Sequence, residues 1–138
     1  MIRVVLDTNV VVSGLLSPSG PPGRIVDLVT HELIQLIYSD DILGEYADVL
    51  HRPQLKLSKS LVDVFLADVR RRDMIVASSP WPVEVPAPTD AVFLEVAAAG
   101  DAVLITGNLK HYPASIRLGV EVLTPRAYVD RFDLGLSA

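Results

Sequence analysis

Short apolar runs alternate along the chain with longer stretches of helical spacing. The first run, Ile2–Leu6, is largely apolar with two valines and reads as a strand buried on both faces, as in a parallel sheet. Val10–Leu16 reads as a short helix opening after Thr8-Asn9. The Ser17–Gly23 cluster of serine, proline and glycine reads as a loop. Ile25, Leu28 and Val29 give Arg24–His31 a helical period. Leu33–Tyr38 reads as a second strand, and Ser39 or Asp40 can cap a helix running to about His51, where Pro53 breaks the pattern. Ser58 is a cap for the next helix, through Leu61, Val62, Phe65 and Val69 to Arg72.

Met74–Ala77 is expected as a third strand. Pro80, Pro82, Pro86 and Pro88 make residues 78–89 a stiff, extended connection. Asp90 opens an alanine-rich helix, Val92–Ala99, apolar nearly all round and so expected to be buried, with Gly100 as its stop. Ala102–Ile105 is a fourth strand with Thr106-Gly107-Asn108 as its exit turn. Val120–Leu123 is a fifth strand, and Pro125 starts a last helix. Strands alternating with helices, with room for right-handed crossovers, predict a parallel sheet covered on both faces.

Composition narrows the classes. At 138 residues, half of them hydrophobic, the chain is expected to be a single domain, 1–138, with a sizeable core. There is no cysteine, which removes disulfides, thiolate metal sites and cysteine nucleophiles. No leader-like start and no long apolar run is present, so no membrane role is expected and the location is read as cytoplasmic. A net charge of −5 argues against nucleic-acid binding by a broad basic surface, yet suits an acidic site offset by cations. Half of the basic residues fall between Arg52 and Arg72, a bias that an ordinary solvated helix face explains.

Four positions are candidates for chemistry: Asp7, Glu45, Asp90 and Asn108. Asp7 directly follows a buried strand, where open α/β sheets bind their ligands; its structural alternative is a helix cap. Glu45 falls on the edge of the apolar stripe formed by Ile42, Leu43, Tyr46, Val49 and Leu50, so it can point along the rim of the sheet. Asp90 is either a first-turn acid or a ligand. Asn108 sits in a common Gly-Asn turn, yet its amide oxygen can ligate a hard cation or orient a metal-bound water. Thr106 is placed to hydrogen-bond Asp7. Carboxylates gathered in one cleft need protons or a cation, and carboxylate, amide and water oxygens suit Mg²⁺ or Mn²⁺. Such an ion supports phosphodiester hydrolysis.

At these residues the chain resembles PIN-domain proteins. The matching pieces are VVLDTNVVVSGLL at 4–16, SDDILGEYADVLHRP at 39–53, TDAVFLEVAAAGDAVLITGN at 89–108 and HYP at 111–113. The resemblance is to the bacterial members that serve as toxins of toxin–antitoxin pairs. It implies a three-layer α/β/α sandwich around a five-stranded parallel sheet. It also implies a Mg²⁺- or Mn²⁺-dependent endoribonuclease, with a dimeric state and an inhibiting antitoxin partner. Asp7, Glu45 and Asp90 would be the metal-binding acids, with Asn9, Ser13 and Thr106 in support. Where the family often carries aspartate this chain has Asn108, and a further acid before Asp90 is missing, so one ion or none is expected.

Arg24, Arg52, Lys56 and His111 are candidates for RNA backbone contacts. Trp81 and Tyr112 could stack on bases, though filling a groove is the simpler role. Ser13 has no histidine placed to activate it as a nucleophile. The competing function is a binding module with a weakened metal site. An aspartyl-phosphate mechanism on Asp7 would need a second aspartate where the chain has Asn9.

Overall fold

The computed structural model describes residues 1–72 and 75–132. Four parallel strands form one sheet: β1 (Arg3–Leu6), β2 (Gln35–Leu36), β3 (Val103–Ile105) and β4 (Val122–Leu123), in the order β2-β1-β3-β4. The helices are α1 (Thr8–Leu16), α2 (Pro21–Thr30), α3 (Asp40–Leu50), α4 (Lys59–Arg71), α5 (Ala91–Gly100) and α6 (Pro125–Phe132). Because β2 and β3 flank β1 on opposite sides, right-handed crossovers send α1–α2 and α3–α5 to opposite faces. In the packing, α2 touches both α1 and α6, α3 touches α4 and α5, and α5 lies on β1 and β3, while α1 also meets α3, where Thr8 bonds Glu45.

The sheet has four strands among the described residues, not the expected five. Of the strand expected at Met74–Ala77, Met74 lies outside the described residues. Ile75 makes only an isolated parallel bridge to Tyr38, and the Val76 amide donates to the Tyr38 carbonyl at 3.1 Å. The proline-rich segment that follows cannot supply a regular ladder of donors, so pairing stops there. The second strand is likewise shorter than Leu33–Tyr38. Glu32, with φ of 60°, turns the chain in the left-handed region just before it. Residues 133–138 of the expected single domain lie outside the described residues.

Two helices start earlier than their patterns predict. α1 begins at Thr8 rather than Val10, directly off Asp7. α2 takes in Pro21-Pro22-Gly23, expected as loop, because a first turn has no use for the amide hydrogens that proline lacks. Gly23 is required there. A Cβ would sit 2.1 Å from the Pro18 carbonyl oxygen. The serine caps form as expected: Ser39 Oγ accepts from the Ile42 amide at 3.3 Å and Ser58 Oγ from the Leu61 amide at 3.0 Å. α5 ends at Asp101 in the left-handed region, φ 51°.

The core runs through the sheet. Val4, Val5, Leu6, Leu104 and Ile105 are fully buried, packed with Phe93, Leu94 and Val96 of α5 and with Ile25 and Leu28 of α2. No helix among the described residues is long and apolar enough to cross a membrane.

Candidate functional site

The parallel pairing of β1 with β3 brings Leu6 level with Ile105, so the residues after each strand emerge side by side. The Asp7 amide extends this ladder by donating to the Ile105 carbonyl at 3.0 Å. Asp7 and the turn Thr106-Gly107-Asn108 therefore share one edge of the sheet.

Asp7 is buried, only 5% exposed. Its Oδ2 accepts two hydroxyl donors, Thr106 Oγ1 at 2.9 Å and Tyr112 Oη at 3.0 Å. Its Oδ1 accepts from the Asn9 amide, at a long 3.5 Å. Burial pushes the Asp7 carboxyl above its ordinary range, the Thr106 bond works against that, and the charge of Asp90 adds to the rise. Tyr112 is fully buried, and burial, together with the charges of Asp7, Asp90 and Glu45, holds its hydroxyl protonated as a donor. Tyr46 is also fully buried; its hydroxyl donates to the Leu6 carbonyl and is pushed up by burial and by the Asp7 charge. The two tyrosines brace the end of β1.

Asp90 does not cap α5 with its side chain. Its Oδ2 instead faces His111 Nδ1 at 2.8 Å, and Asn108 Nδ2 lies over the face of the His111 ring, 3.0 Å from Nε2 and 3.4 Å from Nδ1. The Asn108 amide donates to Thr106 Oγ1 at 3.0 Å, closing a chain of contacts from Asp90 through His111, Asn108 and Thr106 to Asp7. Asn9 Oδ1 accepts from the Gly107 amide at 3.1 Å and pins the turn to α1. Asn9, Ser13 and Asn108 line a cavity of about 210 Å³ together with Val10, Pro22 and Pro125.

Glu45 reaches the same edge from α3, where its Oε2 accepts from Thr8 Oγ1. It stands beside the residue that follows Asp7 and acts on Tyr112 through its charge. Yet no three of the described acidic or histidine side chains come close enough together to hold a metal ion between them. The pair Asp7 and Asp90 still suits one hard cation. Mg²⁺ is commonly held by one or two carboxylates with water completing the shell. The oxygens not engaged by hydroxyl or imidazole donors, Oδ1 of each, are the ones suited to it. Asp7 and Asp90 are near enough for the charge of one to act on the other, and carboxylate oxygen is the donor type that such a cation takes.

The basic candidates behave differently. Arg24 is half-buried in α2. Arg52 pairs with Asp48 at 2.9 Å beyond the C-terminal end of α3, about 10 Å along the helix from Glu45. Lys56 is exposed in a left-handed turn, φ 56°. The basic bias from Arg52 to Arg72 is largely spent on local pairs: Lys59 with Asp63, and Arg71 and Arg72 with Asp68.

Base stacking is excluded for Tyr112 by its burial. Trp81 is fixed by its indole donating to the Ile116 carbonyl at 2.8 Å and by its amide donating to Glu95 at 3.0 Å. The reading by sequence missed two interactions: the Tyr112 hydroxyl on Asp7 and the His111 bond to Asp90. The run Asn108-Leu-Lys-His111-Tyr112 held the signal. A short 3-10 turn at Leu109–His111 folds its two ends back onto the site.

An uncharacterized protein of the archaeon Methanocaldococcus jannaschii is 29% identical to this chain over 154 aligned positions, covering 99% of this chain and 95% of that protein. No solved structure matches the chain. The model of the PIN domain matches residues 3–110, from β1 through the Asp7, Glu45 and Asp90 segments to the Asn108 turn. The chain belongs to the PIN-domain family, generally a nuclease fold that commonly uses divalent metals.

Proposed function

We propose that this chain is a divalent-metal-dependent endoribonuclease. The observation that carries the proposal is the buried Asp7. Two hydroxyls hold one of its oxygens, while the nearby Asp90 charge raises the cost of keeping it ionised, a cost that a cation would remove. Asp7 and Asp90 would hold one Mg²⁺ or Mn²⁺. When bound, such an ion supplies charge neutralisation at the phosphoryl group and a more acidic water. Thr106 and Tyr112 fix the Asp7 carboxylate. Glu45, oriented by Thr8, stands at the rim to receive a proton from an attacking water, and Asn108 contributes an amide to the same edge. His111 is half-exposed there, within reach of a substrate phosphate. The reading extends to a toxin held by an antitoxin, and to a homodimer, on family resemblance.

The test is cleavage of labelled RNA by the purified chain with added Mn²⁺. The expected result is metal-dependent cleavage, lost in Asp7→Asn while the fold persists. Cleavage by that variant at the parent's rate refutes the mechanism.

A second reading, an RNA- or protein-binding module, is favoured by one specific observation. No three acidic or histidine side chains come together to hold a metal ion among the described residues. Calorimetry with Mn²⁺ separates the two. Absence of binding at millimolar metal, with RNA binding intact, favours the module.

A further inference from the structure

We infer that the cavity between α1, α2 and α6, beside the Gly107-Asn108 turn, takes one nucleobase of a single RNA strand and so sets the sequence at which the chain cuts. The inference rests on the nuclease reading above for its substrate, and on the lining of the cavity for the class of ligand. The space is about 210 Å³. Pockets for drug-sized molecules run from about 300 Å³ upward, and a water takes about 30 Å³ in the liquid, so the space suits one ring system rather than a whole nucleotide.

Its walls are wrong for a phosphate, which is held by free backbone amides or by cations. Pro22 and Pro125 have no amide hydrogen. The Val10 amide donates to the Asp7 carbonyl at 2.9 Å, the Gly107 amide to Asn9 Oδ1 at 3.1 Å and the Asn108 amide to Thr106 Oγ1 at 3.0 Å. Ser13 lies past the first turn of α1, where amides bond within the helix. No lysine or arginine among the described residues lines the cavity.

What remains suits a flat ring. Val10, Pro22 and Pro125 present carbon, and two exposed side chains, Asn9 and Ser13, supply polar atoms. The end of Asn9 on offer is fixed by its neighbour. A backbone N–H only donates, so the Gly107 bond takes Oδ1 and leaves Nδ2, a donor. A base has apolar faces and carries acceptors on its edge, and RNA sequence is read from bases splayed out of a single strand. Asn9 also joins the cavity to the acidic edge. Its amide donates to Asp7 Oδ1 at 3.5 Å while its side chain lines the cavity, so a base held there belongs to a nucleotide next to the cut.

The test has two arms. In the first, NMR of the isotope-labelled full chain without metal follows the Asn9 side-chain amide and the Gly107 and Ser13 backbone amides. Uridine, cytidine, adenosine and guanosine are added one at a time, with ribose 5-phosphate as the sugar and phosphate without a base. At least one nucleoside should move these signals to saturation, ribose 5-phosphate should leave them in place, and Ser13→Leu, which fills the space, should abolish the response. Ser13 is exposed on α1, so the larger side chain leaves the core untouched, and the unfolding temperature of the variant checks this. Equal shifts with ribose 5-phosphate would make the cavity a sugar–phosphate site. Either that result or the absence of a shift with every nucleoside overturns the inference.

In the second arm, parent and Ser13→Leu cleave, with Mn²⁺, single-stranded RNAs that differ only in the bases flanking the cut. The parent should discriminate among bases by about tenfold, within what one base contact is worth, and the variant by less than about twofold. A parent that cuts every sequence alike, or a variant that keeps the parent's preference, overturns the inference. A parent that cuts no RNA would instead sink the nuclease reading, while the nucleoside titration still decides whether the cavity holds a base.

Discussion

Replacing Tyr112 with phenylalanine removes one oxygen from the interior and nothing else. The ring is fully buried, so phenylalanine keeps its packing. What is lost is the hydroxyl 3.0 Å from Asp7 Oδ2. A hydrogen bond to a charged group contributes about 1.5–3 kcal/mol. Because Thr106 still donates to the same oxygen, the lower part of that range applies, about 1.5–2 kcal/mol. For a domain of this size that corresponds to a fall of about 5–8 °C in Tm.

The deficit must depend on pH. Burial raises the Asp7 carboxyl in the folded state above its ordinary value of 3.8. An acid raised in this way binds its proton more tightly folded than unfolded. Its ionisation therefore costs stability, and the cost grows as pH rises from 3.8 through the folded value. Tyr112 opposes that cost by holding the ionised form, so its removal raises the carboxyl further and steepens the decline. In acid, where Asp7 is protonated in both proteins, only a bond between neutral groups is lost, about 1 kcal/mol or less. Urea denaturation of parent and variant at about pH 7 and at about pH 2.5, below even the ordinary carboxyl value, measures both deficits. A deficit of equal size at the two pH values, or one below about 0.5 kcal/mol at neutrality, would refute the claim that Tyr112 stabilises a buried carboxylate.

Asp7→Asn should abolish RNA cleavage and raise stability at neutral pH, the gain fading as pH falls toward 3.8; a variant less stable than the parent at neutrality would contradict the buried-charge argument. Titration calorimetry with Mn²⁺ should give at most one ion per chain, since no three acidic or histidine side chains gather around one point among the described residues; two tight sites would be incompatible with that geometry. Gly23→Ala should destabilise by about 2 kcal/mol or more, because the new Cβ lands 2.1 Å from the rigid Pro18 carbonyl, whereas Gly44→Ala, with nothing within 4 Å, should stabilise α3 by up to about 1 kcal/mol. Thermal denaturation of the two variants side by side checks both signs.

The sequence by itself determined the local pieces. The apolar content of Val4–Leu6 and of Val92–Ala97 marked a buried strand and a largely buried helix, although the structure leaves Ile2, Arg3, Ala98 and Ala99 exposed. Ser39 and Ser58 could be read as caps because capping acts over three residues. Asp7, Glu45, Asp90 and Asn108 stood out because each carries an oxygen at or beside the end of an apolar element. Only the tertiary structure decided what those oxygens touch. The strand expected at Met74–Ala77 dwindles to a bridge at Ile75 because strand pairing depends on a neighbour's register, which no local pattern encodes. Tyr112, an unremarkable aromatic in a loop, lies 105 positions from Asp7 and becomes its hydrogen-bond donor. Glu45 turns to Thr8, and His111 to Asp90, for the same reason. Parallel pairing of β1 with β3 sets the ends of distant segments side by side, and hydrogen-bond partners are chosen by that placement rather than by distance along the chain.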